Sequence, residues 1–247
     1  MNLPPDILHV FAAFARGGVK CLLMGGQACV QYGAAEFSKD VDFVILCDDA
    51  NLSALSRTLG ELQAELIAVP PFDRRHLESG QALHFRSTGG PAKGMRIDVM
   101  SLMRGVAPFR ELWERRTTVT LPDGLSMEVL GLRDLVQAKK TQRDKDWPMI
   151  ARLVEVHYLN HREESTAAQR EFWFRELRNV ALLNTLAAQF PDEAAALAAV
   201  RPAIAAALSR DDAERALRDE EERERAADRA YWEPLKKQLE ELRRRKT

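Results

Sequence analysis

Several things are scarce in this chain, and each shortage narrows what it can be. Only three of its 247 residues are cysteine, Cys21, Cys29 and Cys47. None stands in a C-x-x-C spacing. An odd count in or near apolar segments reads as reduced core thiols of a cytoplasmic protein. No run of about 18 apolar residues occurs, so no membrane span is expected. The opening MNLPPDILHV lacks a basic stretch followed by an apolar one and does not read as a signal peptide. Charge of one sign is missing too: 36 Lys and Arg stand against 37 Asp and Glu, a formal net charge of -1. No global field draws such a chain onto nucleic acid, although a local patch would suffice for an RNA substrate. There is no G-x-x-x-x-G-K-[ST] loop and no G-x-S-x-G elbow, which removes P-loop and nucleophile-elbow chemistry.

What is present is a hydrophobic content of 46% and a charged content of 30%, enough for a sizeable core in one large domain or two small ones. The most informative stretch is CLLMGGQACVQYGAAEFSKDVDFVILC, residues 21–47. Cys21 to Met24 is a brief apolar strand that stops at Gly25-Gly26. Gln27 to Tyr32 forms a short helix ending near Gly33. Val41 to Leu46 is a second strand, rich in β-branched and aromatic types. Side chains alternate across a strand, so Asp40 and Asp42 share one face while Val41, Phe43 and Ile45 point into a core. Two neighbouring carboxylates repel, and a cation between them relieves the repulsion. Hard divalent cations take such oxygen ligands, and Mg2+ typically combines one or two carboxylates with substrate phosphates. Gly25 and Gly26 permit positive φ and close backbone approach, and the helix start that follows favours phosphate. One segment thus offers an anion seat and a metal seat.

Along the rest of the chain, a helix opens at Pro4-Pro5-Asp6, runs on Ile7, Val10, Phe11 and Phe14, and stops at Gly17-Gly18. Asp48 and Asp49 cap a helix over 50–63 with Leu52, Leu55, Leu59 and Leu62 on one face. Strands are expected at 66–69, 81–86 and 95–101. In the last, Ile97 and Val99 face one way and Arg96, Asp98 and Met100 the other. An acid within an apolar strand needs a partner. Arg86 or Arg96 supplies one on the plainest reading. A short helix is expected over 109–116, then a hairpin of 117–121 and 126–130 around Pro122-Asp123-Gly124. A helix follows with Asp134 near its start and Lys139-Lys140 near its end. Arg143 to Asp146 is a loop or cap before a helix over 147–159. On its own the basic group reads as a solvated helix end favoured by the helix dipole.

The string G-G, short helix, K-D-V-D-F resembles the DNA polymerase beta superfamily of nucleotidyltransferases. Within it, the chain is most similar to bacterial AbiEii/AbiGii-type toxins and related stand-alone nucleotidyltransferase-like proteins. Gly25, Gly26, Ala28, Asp40, Val41, Asp42 and Phe43 match the first motif. Asp134, Leu135, Val136, Lys139, Arg143, Lys145 and Asp146 match a second, and the likeness spans roughly 19–159. The resemblance implies an α/β (α+β) nucleotidyltransferase fold: a mixed sheet flanked by helices in 1–130, a helical extension in 131–160 and a C-terminal helical region in 161–247. It implies Asp40, Asp42 and Asp98 as a catalytic metal triad for Mg2+ or Mn2+. It gives nucleotide binding to Gly25, Gly26, Ser38, Lys139, Lys140 and Arg143. The implied donor is a nucleoside triphosphate such as ATP or GTP. The implied acceptor is a hydroxyl of tRNA, protein or a small molecule. A toxin paired with an antitoxin protein is a further implication. The alternative is a catalytically weak nucleotide-binding or partner-binding module with the same fold.

Beyond residue 160 a helix is expected over 163–190 with Phe172, Leu177, Val180 and Leu183 in a stripe. An alanine-rich helix over 193–208 is kinked or restarted near Pro202. Residues 211–246 read as a solvated helix laced with i,i+4 pairs. Its apolar seam of Ala227, Tyr231, Leu235 and Leu239 could pack on the domain or form an oligomer. His157 and His161 have zinc-like spacing, but the residues between them supply no general-base glutamate, so a satisfied or exposed pair is expected.

Overall fold

The structure is a computed structural model, and it describes residues 4–35, 37–120, 124, 126–209 and 211–246. The chain divides into two compact units. One comprises Met1–Gln31, Ala35–Ala138 and Tyr231–Thr247, and the other Tyr32–Ala34 and Lys139–Ala230.

The first unit is α/β. Its elements run α1 (Pro5–Arg16), β1 (Cys21–Met24), α2 (Gly25–Gln31), β2 (Asp40–Ile45), α3 (Asp49–Glu61), β3 (Ala64–Leu66), α4 (Arg74–Glu78), β4 (Leu83–Ser87) and β5 (Arg96–Met100). Then come α5 (Phe109–Glu114), β6 (Thr117–Thr120), β7 (Ser126–Val129) and α6 (Leu132–Ala138). The strands form one mixed seven-stranded sheet in the order β3-β4-β5-β2-β1-β7-β6. β2 lies antiparallel to β1 and parallel to β5, while β4 is antiparallel to β5.

The alternation in β2 decides which face is core. Val41, Phe43 and Ile45 are at most 1% exposed. Phe14 of α1 stacks on Phe43 with ring centroids 4.3 Å apart, and Phe11 meets the same ring edge-on. Ile7, Val10, Phe11 and Phe14 are all buried. Each contributes about 1.5–3 kcal/mol of burial, so α1 closes this face firmly and leaves Asp40 and Asp42 on the other. Asn51 of α3 fixes the strand ends. Its side-chain oxygen accepts from the Lys20 N–H (2.7 Å) and its amide donates to the carbonyls of Lys20 (3.0 Å) and Leu46 (2.7 Å). Asp48 alone caps α3, accepting from the Asn51 N–H at 2.8 Å, and Asp49 is its first helical residue.

Some elements differ from the sequence reading. The strand expected at 66–69 lies at 64–66, ahead of Pro70, and pairs with β4. α4 was not foreseen; Asp73 caps it, accepting from the Arg75 N–H. The hairpin β6–β7 forms in register, but Pro122 and Asp123 of its turn lie outside the described residues.

The second unit is helical: α7 (Asp146–His161), α8 (Ala167–Glu176), α9 (Val180–Gln189), α10 (Pro191–Ala198), α11 (Pro202–Ser209) and the first part of α12 (Ala213–Lys246). The single helix expected over 163–190 is broken at 177–179. Buried Arg201 explains the stop. Its guanidinium donates to the carbonyls of Phe174 (2.6 Å) and Leu177 (2.7 Å) at the end of α8. Asn179 then caps α9, accepting from the Leu182 N–H. Of the seam expected on α12, Leu235 is buried and Tyr231 and Leu239 are half-buried, but Ala227 is exposed; Asp228, 2% exposed, lies inward instead and accepts from the Gln142 N–H at 2.8 Å. Among the described residues no helix is long and apolar enough to cross a membrane.

Candidate active site

The sheet face left uncovered by α1 carries an acidic row. Parallel pairing sets Asp42 of β2 opposite Asp98 of β5, and Asp40 opposite Arg96. Adjacent strands lie about 4.8 Å apart and partners in register share a face. Asp98, 56 residues further along the chain, therefore joins Asp40 and Asp42 on one surface. On the far side of β5, antiparallel β4 sets His84 opposite Asp98 and Arg86 opposite Arg96.

Diglycine packing holds the row from the other side. Gly25 has φ +65°, and a Cβ there would collide with the Asp42 carboxylate, lying 2.5 Å from its Cγ. Glycine is thus required twice, by conformation and by space. A Cβ on Gly26 would strike the Ser38 hydroxyl, with the Ser38 Cβ only 2.8 Å away. Ser38 donates from Oγ to the Asp40 carbonyl at 3.3 Å, and buried Gln27 donates from Nε2 to the Ser38 carbonyl at 2.7 Å. The diglycine forms the first two residues of α2 rather than a separate turn, because Gly26 and Gln27 pack directly on the 38–40 segment.

Asp98 has two basic partners. Arg96 donates from Nε to its Oδ1 at 2.8 Å, and His84 Nδ1 lies 2.9 Å from the same oxygen. Arg86 donates to the Gly94 carbonyl instead. Burial pushes the Asp98 pKa up, but the hydrogen bonds and charges of His84 and Arg96 outweigh it and hold the carboxyl below its ordinary range. The Arg96 guanidinium is pushed up, first by its hydrogen bond to Asp98; Asp40 and Asp42 add to the effect by their charge.

No protein-family model matches the chain, and no curated protein matches it.

The donors of the row are carboxylate oxygens, the type hard divalent cations take. Among the described residues no three His, Cys, Asp or Glu side chains are already gathered around a metal position. Like charges on neighbouring strands repel, and Asp98 is drawn to Arg96 and His84. The donor type and the space that Gly25 leaves for Asp42 nonetheless fit such a cation.

Lys139, Lys140 and Arg143 are engaged within the helical unit. Lys139 Nζ lies 3.3 Å from Asp146 Oδ1, while Arg143 Nε and Thr141 Oγ1 donate to Asp146 Oδ2 at 2.7 and 2.6 Å. Lys140 pairs with Glu176 at 2.9 Å. Lys139 and Lys140 are each only 9% exposed, so they are not the solvated helix end that their charge suggests. In the sheet unit Asp134 is held by Arg115 through two bonds of 2.9 and 3.0 Å. His157 and His161 stack at 4.4 Å, and the Trp173 indole donates to His157 Nδ1 at 2.9 Å, a satisfied pair. A cleft of about 660 Å³ in the helical unit is lined by Trp147, Arg178, Leu217 and Arg225 among others, with every arginine near Trp147 already paired to an acid.

The sequence reading missed Gln27 and His84. A polar residue in a short helix gives little signal. His84 sits at an alternating position of its strand, but only pairing of β4 with β5 sets it beside Asp98.

Proposed function

We propose that the chain is a Mg2+-dependent nucleotidyltransferase with the fold of the DNA polymerase beta superfamily, moving a nucleoside monophosphate from a triphosphate to an acceptor hydroxyl. The observation that carries this reading is the register of Asp42 with Asp98 on parallel strands, with Asp40 on the same face and Gly25 against Asp42.

Asp40, Asp42 and Asp98 would hold the metal. Bound there, Mg2+ supplies Lewis-acid stabilisation of the charge that develops at the transferring phosphate. The backbone N–H groups of Gly25 and Gly26 would hold the β- and γ-phosphates, and the Ser38 hydroxyl could join them only by leaving the Asp40 carbonyl. Asp98 stays ionised and accepts the hydrogen bond of the incoming hydroxyl, favouring its alkoxide. That oxygen attacks the α-phosphorus in line, the bond to pyrophosphate breaks, and the hydroxyl proton passes to solvent. A triphosphate role for Lys139, Lys140 and Arg143 would require them to leave Asp146 and Glu176. The proposal therefore rests on the carboxylates.

A module that binds nucleotide without transfer is the second reading, favoured by the engagement of Asp98 with Arg96 and His84. Incubation with α-labelled ATP, GTP, CTP or UTP, Mg2+ and cell extract separates the two. Label appearing in RNA, protein or a small molecule, and lost in Asp42→Asn, supports the enzyme and identifies the acceptor class. Undiminished transfer by Asp42→Asn would overturn the assignment. Saturable nucleotide binding with no transfer by the unaltered chain favours the module. A toxin further requires that expression of the chain arrests growth and that a partner protein relieves the arrest.

A further inference from the structure

We propose that His84 and Arg96 are positioning residues for Asp98, fixing its carboxylate by one oxygen so that the other is offered to the metal. This deepens the nucleotidyltransferase reading and rests on it. Arg96 and His84 both reach Asp98 at Oδ1, at 2.8 and 2.9 Å. No other hydrogen bond or ion pair joins Asp98 among the described residues, which leaves Oδ2 to an incoming ligand.

The three side chains lock one another. Arg96 stands two residues before Asp98 on the same strand face, and its Nη2 lies 3.1 Å from His84 Nδ1. A guanidinium only donates, so Nδ1 takes one of two roles. With its proton on Nε2, His84 accepts from Arg96. With a proton on Nδ1, it donates to Asp98. Either tautomer ties the imidazole to the Asp98–Arg96 pair. His84 lies on the β4 side of Asp98 and Asp42 on the β2 side, so the anchor pulls from the edge opposite the other two acids. Partners of this kind around metal-binding side chains change affinity or activity by about 10–100-fold when removed.

Positioning and plain charge balance predict opposite signs. A counter-ion lost from an acidic row tightens cation binding; a positioner lost from a ligand weakens it. The test is Mn2+ titration of the full chain at pH 8, read by the electron paramagnetic resonance of free Mn2+. His84→Ala and the charge-conserving Arg96→Lys are each expected to weaken Mn2+ binding about tenfold. His84→Asn, which keeps a polar group near the Nδ1 position, should recover most of the loss. Asp98→Asn should weaken binding at least as much, and adding His84→Ala to it should weaken it no further. Thermal melting of each variant checks that it is folded; should His84→Ala not fold, His84→Asn and Arg96→Lys carry the comparison. Tighter or unchanged Mn2+ binding in the folded His84→Ala and Arg96→Lys proteins overturns the positioning role, as does full additivity with Asp98→Asn. If the unaltered chain binds no Mn2+ that Asp40→Asn abolishes, the metal site itself fails, and the positioning role falls with it.

Discussion

Two aspartate neighbourhoods in this chain are built on opposite terms. In the helical unit Asp146 is 2% exposed and is met by Lys139, Arg143 and Thr141. On the sheet, Asp40, Asp42 and Asp98 share a face with Arg96 and His84, and both of those touch Asp98. The first arrangement is saturated. It closes the 139–146 loop on itself, and the Trp147 indole donating to the Thr141 carbonyl at 2.8 Å completes the closure. The second sets three carboxylates on one sheet face beside one guanidinium and one imidazole. Residues of the same type thus serve structure in the helical unit, and on the nucleotidyltransferase reading proposed above they would serve a cation on the sheet.

The largest test of that contrast is stability. Asp146→Ala leaves Lys139 buried opposite nothing, and breaking a buried pair in this way costs about 3–5 kcal/mol. Asp40→Asn removes one like charge from the row and should change stability by less than about 0.5 kcal/mol, as half-exposed polar sites usually do. Urea denaturation at pH 7 measures both. Equal losses would erase the distinction between the two regions.

A second buried cluster in the helical unit should side with Asp146. Glu220 receives Arg178 at 3.0 Å and Arg201 at 2.9 Å, both arginine side chains being 7% exposed. Glu220→Gln keeps the shape and part of the hydrogen bonding but leaves the two guanidinium charges unmatched. The expected loss is about 2 kcal/mol, below that of a full truncation. On the sheet, Gly25→Ala should cost a similar amount through its positive φ, about 1–2 kcal/mol, plus displacement of the Asp42 carboxylate. The two variants differ in a second readout. Gly25→Ala should also lower Mn2+ affinity, and Glu220→Gln should leave it unchanged.

What the sequence disclosed divides along the same line as locality. The alternation that puts Val41 and Phe43 inside and Asp40 and Asp42 outside is a two-residue period, and it is legible without any partner strand. The pairing of Asp42 with Asp98 is not, because strand register depends on contacts remote in sequence. The same holds for His84. Lys139 and Lys140 look like a solvated helix end because their partners, Asp146 and Glu176, lie seven and thirty-six residues on. The break at 177–179 was invisible because the group that satisfies the end of α8, Arg201, comes from beyond α10.

Asp98 sharpens the comparison, since it is a sheet acid with the partners of a structural one. Burial raises its pKa, the bonds from His84 and Arg96 lower it more, and the net shift is downward. For Asp146 burial again opposes, and Lys139, Thr141 and Arg143 prevail. A carboxyl whose folded pKa lies below its unfolded value stabilises the fold at pH above about 4, near the unfolded value. That contribution disappears as pH falls through the folded pKa. Asp98→Asn should therefore destabilise the fold at pH 7, and the cost should fade as pH falls through the lowered pKa of Asp98. Urea midpoints for the unaltered chain and Asp98→Asn, taken from pH 7 down to pH 3 without divalent metal, follow the fading. A penalty that persists undiminished at pH 3 would mean that shape, not charge, holds Asp98 in place. Adding Mn2+ at pH 7 then asks the opposite question. If Asp98 also serves the cation, the metal should stabilise the unaltered chain more than Asp98→Asn, so the small gap between them should widen.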